Sequence, residues 1–455
     1  MSRVIAAIAT PPAAAGLGTV RLSGDGAVAL AARIFRPASA KKTLEQAPGY
    51  TALYGTVFDA DGDIDDAVAL VFLAPHSYTG EDTVELSCHG GLYLLRRVLR
   101  AALDAGAAPA GPGEFTRRAF LSGKLDLTGA ESVMDSIAAT GRLAAKAALS
   151  ARQGHLAAKM DRVRQSLTAL AAQAAAFVDY PDDDIPDLEP AAMRQTLTAA
   201  KAQVEGLLAT FDAGKVLREG IDTAIVGRPN VGKSTLMNAL AGHERSIVTA
   251  IPGTTRDVVE ETVRLGEVTL RLSDTAGLRQ SDDEVEAIGV DRALKRMETA
   301  ALVLFLLDGG EALTGEDRRR LEALRDTPTV AVINKADRPL ALDPDEVRAL
   351  CPYTVVLSAR EGTGIDALRQ AVETLTGVAA LDDSQPILTT ERQRGALRRC
   401  KEALEEAIAA VESGMTPDVT IVSVDSAIDA LLELTGKRAT ETVVDEVFAR
   451  FCVGK

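Results

Sequence analysis

Hydrophobic residues recur with two different periods along this chain, and the changes of period divide it into segments. In roughly the first 120 residues, short apolar runs with alternating polar positions predict β-strands: VIAAIAT, TVRLS, TALYGTVFDADG, AVALVFL and TVELSC. Between these runs, AVALAARIF and LYLLRRVLRAALDAG repeat apolar residues at helical spacing. The pattern predicts a small N-terminal α+β domain over residues 1–120.

A helical pattern without proline replaces the strands from Gly129 to Val178. The acidic run Asp179–Asp184 interrupts it and indicates a solvated turn between two helices. The same spacing predicts a second helix from about Pro190 to Gly214. Helical spacing returns after Gly377, in LRRCKEALEEAIAAVESG and SAIDALLELTG.

Strand–loop–helix units occupy the stretch between these helices. Their apolar strand cores are DTAIVG, VTLRLSD, ALVLFLLD, TVAVINK and TVVLSA, which is typical of a doubly wound, mostly parallel sheet. An inserted domain leaves the ends of its host adjacent, so the flanking helices are expected to pack as one domain. We therefore expect an N-terminal domain (1–120), a first helical part (121–219), an inserted nucleotide domain (220–377) and a second helical part (378–455).

The bulk composition fits a soluble protein with more than one domain. The chain has 455 residues, whereas a single core stops growing at roughly 250–300. Hydrophobic residues at 47% are ample for burial. A net charge of −15 argues against a generally basic nucleic-acid-binding surface.

Cysteine usage and the apolar runs indicate a cytosolic location. The four cysteines Cys88, Cys351, Cys400 and Cys452 are far apart and show no CxxC spacing, so neither a disulfide framework nor a zinc site is expected. The N-terminal stretch MSRVIAAIATPPAAAG is too short and too interrupted by proline for a signal peptide. The apolar run Ala300–Leu307 is far shorter than the roughly 20 residues that span a bilayer. A soluble cytoplasmic protein is expected.

Residues 227–234 read GRPNVGKS, a complete phosphate-binding loop between a predicted strand and a predicted helix. Its glycines let backbone N–H groups turn towards phosphates. Lys233 can reach the β- and γ-phosphates, and the Ser234 hydroxyl can bind Mg²⁺. A chance glycine-rich turn is a poor alternative, because motif and context coincide.

Two further motifs follow in the order that a nucleotide switch requires. Asp274-Thr275-Ala276-Gly277 follows the strand VTLRLS, which puts a carboxylate near the Mg²⁺ and lets the Gly277 N–H turn towards a γ-phosphate. Between it and the phosphate loop lies TAIPGTT at 249–255, where a threonine can close over Mg²⁺ when the γ-phosphate is present. By itself this second segment would indicate only a polar turn.

A third motif, Asn334-Lys335-Ala336-Asp337, follows the strand TVAVI and selects the base. The Asp337 carboxylate can accept from both N1–H and the 2-amino group of guanine, a donor pair that adenine lacks. Ser358-Ala359-Arg360 follows the next strand and can add a backbone contact to the guanine O6. The ordered set predicts GTP rather than ATP as the ligand.

Hydrolysis needs a polar group to orient the attacking water, and Leu278, directly after DTAG, cannot do so. Acidic candidates lie close by in DDEVE at 282–286, although a mobile solvated loop also fits that run. The Asn230 side chain can help hold a monovalent cation beside the phosphates. A simple turn-forming asparagine is the equal alternative.

The motif order and three stretches outside the nucleotide domain together resemble the MnmE (TrmE) family, the tRNA uridine-34 modification GTPases. These stretches are IAAIATPP…GLGTVRLSG, PGEFTRRAFLSGKLDLTGAESVMDSI at Pro112–Ile137, and the terminal FCVGK. The likeness covers nearly the whole chain. It implies a dimerising, folate-binding N-terminal domain, a central helical domain and an inserted Ras-like P-loop GTPase domain.

The resemblance assigns folate contacts to Arg21, Glu85, Lys124 and Lys455. A pterin presents a donor-rich edge that a carboxylate can pair with, and the glutamate tail of a folate needs cations. Cys452 matches a family cysteine near the one-carbon unit, and a catalytic role and a small buried hydrophobe are equal alternatives for it. The loop ATPPAAAGLG departs from the family pattern, which has further glycines after the prolines.

In the nucleotide domain the resemblance implies a role for each motif. Glu286 would position water and Lys233 would act on the phosphates. The implied K⁺ ligands are Asn230, Thr249, Ile251 and Thr254, and the implied Mg²⁺ ligands are Ser234 and Thr255. The implied GTP contacts are Asn230, Val231, Gly232, Lys233, Ser234, Thr235, Thr249, Ala250, Ile251, Pro252, Gly253, Thr254, Thr255, Asp274, Thr275, Ala276, Gly277, Asn334, Lys335, Ala336, Asp337, Ser358, Ala359 and Arg360.

The resemblance also implies partners: a homodimer, and a heterotetramer with the FAD-dependent MnmG protein. Together they would add an aminomethyl or carboxymethylaminomethyl group to carbon 5 of the tRNA wobble uridine, with 5-formyl- or 5,10-methylene-tetrahydrofolate as donor. A basic stripe indicates a solvated helix face or, less favoured, a tRNA-facing surface; it consists of Arg392, Arg394, Arg398, Arg399 and Lys401. The alternatives are a ribosome-assembly GTPase switch and a folate-binding scaffold with vestigial GTPase activity, and the intact motif set argues against the second.

Overall fold

The computed structural model describes residues 2–179, 189–243, 261–272 and 300–455. The predicted acidic turn therefore lies outside the described residues, apart from Asp179. The chain forms two compact units, the first comprising Met1–Met134, Ala151–Glu189 and Ala410–Lys455 and the second Asp135–Ser150 and Pro190–Ala409. Among the helices described, none combines the length and the apolar character that a bilayer crossing requires.

The first unit is built on a seven-stranded sheet with the order β3-β4-β5-β6-β2-β1-β7. Its strands are β1 (Ile5–Ile8), β2 (Ala15–Ser23), β3 (Phe35–Pro37), β4 (Thr51–Asp59), β5 (Gly62–Phe72), β6 (Thr83–Gly90) and β7 (Ala108–Pro109). Side chains alternate along β2, so Val20 and Leu22 are buried in the core while Arg21 between them points to the other face. The predicted α+β fold is confirmed.

The helices of this unit are α1 (Ala27–Ala32), α2 (Leu92–Asp104), α3 (Glu114–Leu121), α4 (Leu127–Ala138), α6 (His155–Asp179), α14 (Pro417–Thr435) and α15 (Glu441–Ala449). α2 packs on the sheet through the buried residues Leu95, Val98 and Ala102. α6 packs along α14, and α15 contacts α3. The C-terminal helix therefore brings the end of the chain to the N-terminal domain.

The second unit contains a six-stranded sheet with the order β13-β12-β11-β8-β10-β9. Its strands are β8 (Ile221–Gly227), β9 (Glu261–Leu265), β10 (Val268–Leu272), β11 (Leu302–Asp308), β12 (Thr329–Asn334) and β13 (Thr354–Val356). Its helices are α5 (Arg142–Arg152), α7 (Pro190–Leu208), α8 (Phe211–Glu219), α9 (Lys233–His243), α10 (Gly315–Ala323), α11 (Pro344–Leu350), α12 (Ile365–Leu375) and α13 (Glu391–Glu412). The described pairs are parallel except for β9–β10, so the doubly wound, mostly parallel fold is confirmed. The antiparallel edge strand β9 was not predicted, because ETVRL carries too few apolar residues to stand out.

The single helix predicted from Pro190 to Gly214 is wrong in its C-terminal part. The structure has two helices there, Pro190–Leu208 and Phe211–Glu219. Gly214 lies inside the second one and does not end it. A Cβ on Gly214 would lie 1.9 Å from the Leu388 carbonyl oxygen, so this glycine permits the close approach of another segment.

The β9–β10 hairpin holds the segment Asp135–Ser150. Glu267 Oε2 accepts the Leu143 N–H at 2.8 Å, in the first turn of α5. The hydroxyls of Thr140 and Thr269 lie 2.8 Å apart. A carboxylate at a helix N-terminus satisfies a free N–H and complements the helix dipole. A segment between the predicted N-terminal and nucleotide domains thus packs directly on the sheet of the nucleotide domain.

Candidate functional site

The loop between β8 and α9 follows a course that larger residues could not adopt. Gly232 has φ +99°, and a Cβ on it would lie 2.3 Å from Asn334 Nδ2. A Cβ on Gly227 would lie 2.5 Å from the Leu306 carbonyl oxygen. Asn230 is left-handed, with φ 60°. This loop leads into the N-terminus of α9, an arrangement that binds phosphate through backbone N–H groups and the helix dipole.

Lys233, the first residue of α9, lies within the loop. Its Nζ donates to the carbonyl oxygens of Gly227 and Arg228, each at 2.8 Å. Burial lowers the pKa of Lys233, and the positive charge of Arg320 lowers it further. A phosphate oxygen would supply an opposite charge at this partly buried ammonium group, so the position favours an anionic ligand.

Asn334, at the end of β12, joins three of the predicted motifs. Its Nδ2 donates to the Val231 carbonyl at 2.9 Å, and its Oδ1 accepts the Ala359 N–H at 3.0 Å. Asn334 itself is buried. The structure therefore brings together the phosphate loop, the motif 334–337 and the motif 358–360 at one edge of the sheet.

Asp337 and Ser358, both predicted guanine contacts, lie within hydrogen-bond distance of each other. Ser358 Oγ donates to Asp337 Oδ1 at 2.8 Å. This hydrogen bond is the largest of the effects that lower the pKa of Asp337. The carboxylate is therefore held ionised, the form that accepts two hydrogen bonds from one edge of a guanine.

Several predicted site residues lie outside the described ranges, and their roles stay predictions. They are Thr249, Ala250, Ile251, Pro252, Gly253, Thr254, Thr255, Asp274, Thr275, Ala276, Gly277 and Glu286. Leu278 and the acidic run at 282–286 lie outside as well.

Two charged partners of the motifs were not predicted from the sequence. Lys335 Nζ lies 2.6 Å from Asp308 Oδ2 at the end of β11. Burial would raise the pKa of Asp308, but hydrogen bonds from Lys335 and the Gly310 N–H bring it below its usual value. Arg228 of the phosphate loop pairs with Asp317 of α10 at 3.1 Å. In the sequence, the only indication of these two ion pairs is that Lys335 and Arg228 each lie inside a motif.

A second candidate site lies in the first unit, around Arg21. Arg21 Nε donates to Glu85 Oε1 at 2.8 Å, across the β2–β6 pair. The guanidinium carbon lies 5.5 Å from the Tyr78 ring centroid and 5.4 Å from that of Phe115. Arg21 Nη1 also donates to the Gly454 carbonyl at 3.5 Å. A flat cation, a carboxylate and two aromatic rings are thus collected beside the end of the chain.

The C-terminal tail docks beside this site. The Phe115 N–H donates to the Lys455 carbonyl at 3.1 Å, and the Gly113 N–H donates to the Cys452 carbonyl at 3.3 Å. Gly454 has φ +98°, and a Cβ on it would lie 2.3 Å from the Ile8 carbonyl oxygen. Cys452 is exposed, so the interpretation of a small buried hydrophobe is wrong at this position.

Lys124, the remaining predicted folate contact, is exposed in the turn after α3. Its Cε would lie 3.7 Å from a Cβ on Gly80. Ser122 Oγ donates to the Thr79 carbonyl at 2.7 Å, which ties this turn to the loop that carries Tyr78. All four predicted folate residues are therefore grouped around the segment 78–80 and the tail.

The basic stripe on α13 is paired with acidic and aromatic neighbours. Arg394 lies 4.4 Å above the Phe211 ring and 2.9 Å from Glu391. Lys401 Nζ lies 3.2 Å from Glu205 of α7. Arg398, Arg392 and Arg399 also make interactions. The cations of the stripe therefore make interactions within the chain, and a tRNA-facing role for this helix face stays a prediction.

Comparison with known proteins gives matches over nearly the full length. The family model described as the MnmE helical domain matches residues 127–452, and that of the GTP-binding protein TrmE N-terminus matches residues 4–124. The chain is 42% identical over 462 residues to the tRNA modification GTPase MnmE of Moorella thermoacetica, covering 99% of each chain. It is 44% identical over 459 residues to the protein of the same name from Symbiobacterium thermophilum, again covering 99% of each. Among solved structures, it resembles an Aquifex aeolicus Era variant bound to GDP and tetrafluoroaluminate, with 28% identity, coverage of 40% of this chain and 66% of that chain, and a TM-score of 0.26.

Proposed function

The chain belongs to the MnmE family of tRNA modification GTPases, and from this premise we propose that it modifies carbon 5 of the tRNA wobble uridine. It is a GTP hydrolase. The proposed product is a carboxymethylaminomethyl or aminomethyl group, made together with the FAD-dependent MnmG partner and a tetrahydrofolate one-carbon donor. Family membership favours this function over the ribosome-assembly alternative. The observation that carries the GTPase half of the proposal is the Asn334 bridge between the phosphate loop and the base-recognition motifs.

In the proposed nucleotide site, Lys233 binds the β- and γ-phosphates and Asp337 binds guanine. Gly227 and Gly232 let the loop pack closely against Leu306 and Asn334 in front of α9. A loop held at a helix N-terminus in this way fits a phosphate bound by backbone N–H groups. Ser234 and Thr255 would hold Mg²⁺, which neutralises charge on the phosphates when bound. Glu286 would orient the attacking water. A K⁺ ion would be held by Asn230, Thr249, Ile251 and Thr254.

In the proposed folate site, Glu85 binds the donor-rich pterin edge, while Lys124 and Lys455 bind the glutamate tail. The salt bridge between Arg21 and Glu85 supports this assignment, because it orients the Glu85 carboxylate through one of its two oxygens. The rings beside Arg21 add a surface suited to a flat heterocycle. Cys452 is accessible for a catalytic role next to the one-carbon unit.

We assign dimerisation to the outer face of the seven-stranded sheet. Leu17, Tyr54 and Val68 are 71%, 59% and 37% exposed, and Tyr54 lies directly opposite Val68 across β4–β5. Contiguous exposed apolar residues on a sheet face favour burial against another surface. A second copy of the chain would cover them. The proposed domains are the N-terminal domain (1–120), the first helical part (121–219), the GTPase domain (220–377) and the second helical part (378–455). A cytoplasmic location is part of this proposal.

The test is mass analysis of wobble uridines in tRNA from cells that lack this protein. We expect loss of the carboxymethylaminomethyl and aminomethyl groups, with restoration by the wild-type chain. Complementation with Lys233→Ala and with Glu85→Gln separates the two sites, because both variants should fail to restore modification while only the first loses GTP hydrolysis. Normal wobble uridines in the deletion strain would reject the proposed function.

A further inference from the structure

Arg228, the second residue of the phosphate loop, extends its side chain towards α10. Its Nη2 donates to Glu311 Oε2 at 2.8 Å, and its Nε lies 3.1 Å from Asp317 Oδ2. The Glu311 side chain is 57% exposed, whereas that of Asp317 is 1% exposed. The loop is therefore linked to a buried carboxylate on the helix that follows β11.

Asp317 is the buried end of this link. Its Oδ2 accepts the Thr314 hydroxyl at 2.6 Å, while its Oδ1 and the Arg228 Nε have no hydrogen-bond partner within the described part of the chain. A buried carboxylate is costly unless a cation compensates it. Among the described residues, Arg228 is the cation within 4.0 Å of Asp317. Asp317 therefore depends on Arg228 for a compensating charge, whereas Arg228 also pairs with the exposed Glu311.

The main chain of Arg228 contacts the lysine that the phosphates require. The Arg228 carbonyl oxygen accepts a hydrogen bond from Lys233 Nζ at 2.8 Å. The side chain of the same residue, Arg228, is bound at α10. Further along the loop, Asn334 Nδ2 holds the Val231 carbonyl at 2.9 Å. Two separate anchors therefore fix the loop, one in each half. The second belongs to the base-recognition motif, and the first has no role assigned so far.

We propose that Arg228 is a positioning residue for GTP: through Asp317 it fixes the first half of the phosphate loop, so that Lys233 meets the β- and γ-phosphates. The Arg228 side chain itself is engaged by Glu311 and Asp317. The inference rests on the nucleotide-site roles proposed above. It predicts an effect on GDP and GTP binding but not on GMP binding, because Lys233 reaches the β- and γ-phosphates and not the α-phosphate.

The experiment measures the affinities of the full-length Arg228→Ala variant for GMP, GDP and GTP at a temperature well below the unfolding midpoint of the variant. GDP and GTP affinity should fall about tenfold, the scale of one charge-assisted contact, while GMP affinity changes less than about twofold. Arg228→Lys should recover part of the loss. Arg318→Ala is the matched control, because it breaks the exposed ion pair of the same helix with Glu346 and should leave all three affinities within about twofold.

A double variant separates positioning from stability. Changing both Arg228 and Asp317 to leucine removes the buried Asp317 carboxylate together with its partly exposed partner. Replacing such a pair by apolar residues is often neutral or stabilising. Its unfolding midpoint should match or exceed that of the wild type, while its GTP affinity stays about tenfold lower. Wild-type affinity in the double variant would overturn the inference, as would equal losses for GMP and GTP in Arg228→Ala. Failure of the wild-type protein to bind GTP would overturn the proposed nucleotide site as well.

Discussion

The nucleotide site and the site beside the C-terminal tail differ in how their residues are brought together. In the nucleotide site, Asn334 joins Val231 and Ala359, and each of these lies in a loop that follows a strand of one sheet. In the tail site, Arg21 and Glu85 are cross-strand neighbours, but Gly454 is 433 positions from Arg21. The residues of the nucleotide site meet because they follow strands of one sheet. The tail site also requires the C-terminal residues to dock.

Because the two sites are assembled differently, a mutation can disrupt one of them and leave the other intact. Parallel strands deliver their C-terminal loops to one edge, so the nucleotide motifs meet whenever their sheet forms. Chain ends fray unless they are held down. The tail is held by the buried residues Phe448 and Phe451 and by backbone hydrogen bonds from Gly113 and Phe115. Weakening these contacts should therefore release the tail while the sheet of the first unit stays folded.

The largest expected effect is at Lys233. Lys233→Ala should reduce GTP turnover at least about 100-fold, the scale of removing one donor that stabilises developing charge. Its binding of 5-formyl-tetrahydrofolate, measured by calorimetry, should equal that of the wild type, since the tail site belongs to the other unit. Turnover within a few-fold of wild type would contradict the role of Lys233, and a parallel loss of folate binding would break the separation of the two sites.

Gly454→Ala should weaken folate binding and leave GTP turnover unchanged, the opposite of Lys233→Ala. The new Cβ meets the Ile8 carbonyl at 2.3 Å in a left-handed backbone, a strain on the order of 1–3 kcal/mol. Folate affinity should fall about tenfold as the tail is displaced, with GTP turnover unchanged.

Gly414→Ala is the matched control for that variant, because Gly414 has φ +67° and a Cβ there would meet nothing within 4 Å. It carries the backbone strain without the close approach to another segment. Equal folate affinity in the Gly454 and Gly414 variants would show that tail docking does not shape the site.

A smaller effect is expected from Ser358→Ala. The Ser358 hydrogen bond lowers the pKa of Asp337, so the carboxylate stays ionised as pH falls until the lowered value is reached. Without that bond the pKa rises, and the acid limb of GDP binding should move to higher pH with little change near neutrality. Ser384→Ala removes the same kind of bond from Asp382, whose pKa is lowered in the same way, and should leave the GDP profile unchanged. An unshifted acid limb in Ser358→Ala would exclude the Asp337 carboxylate as the titrating group.

The smallest effect on folding is expected at Cys452. Because this residue is exposed, Cys452→Ser should change the free energy of unfolding by less than about 0.5 kcal/mol. Cys400→Ser is the contrast: Cys400 is fully buried, burial raises its thiol pKa to about 12, and a hydroxyl there should cost about 1–3 kcal/mol. Denaturant unfolding measures both. If Cys452→Ser keeps its stability but loses tRNA modification, a catalytic role is supported, and full modification would exclude it.

Much of the fold and the nucleotide site could be predicted from local patterns. Apolar runs predicted strands of both sheets, and the phosphate loop and the motif 334–337 were each placed directly after a predicted strand. The structure adds the Asn334 bridge that joins them. The tail site depended on a family resemblance, because no local pattern links Arg21 to residues at the far end of the chain.

By itself, the sequence determined most strands of the two sheets, the phosphate loop and the motifs proposed to select guanine, since each is encoded within a few neighbouring positions. Only the tertiary structure decided that Gly214 lies inside a helix, that Cys452 is exposed and that Arg228 is paired with Asp317. The physical reason is the same in each case. Burial, close approach and charge pairing are set by residues distant in sequence, and their partners are chosen only when the chain packs.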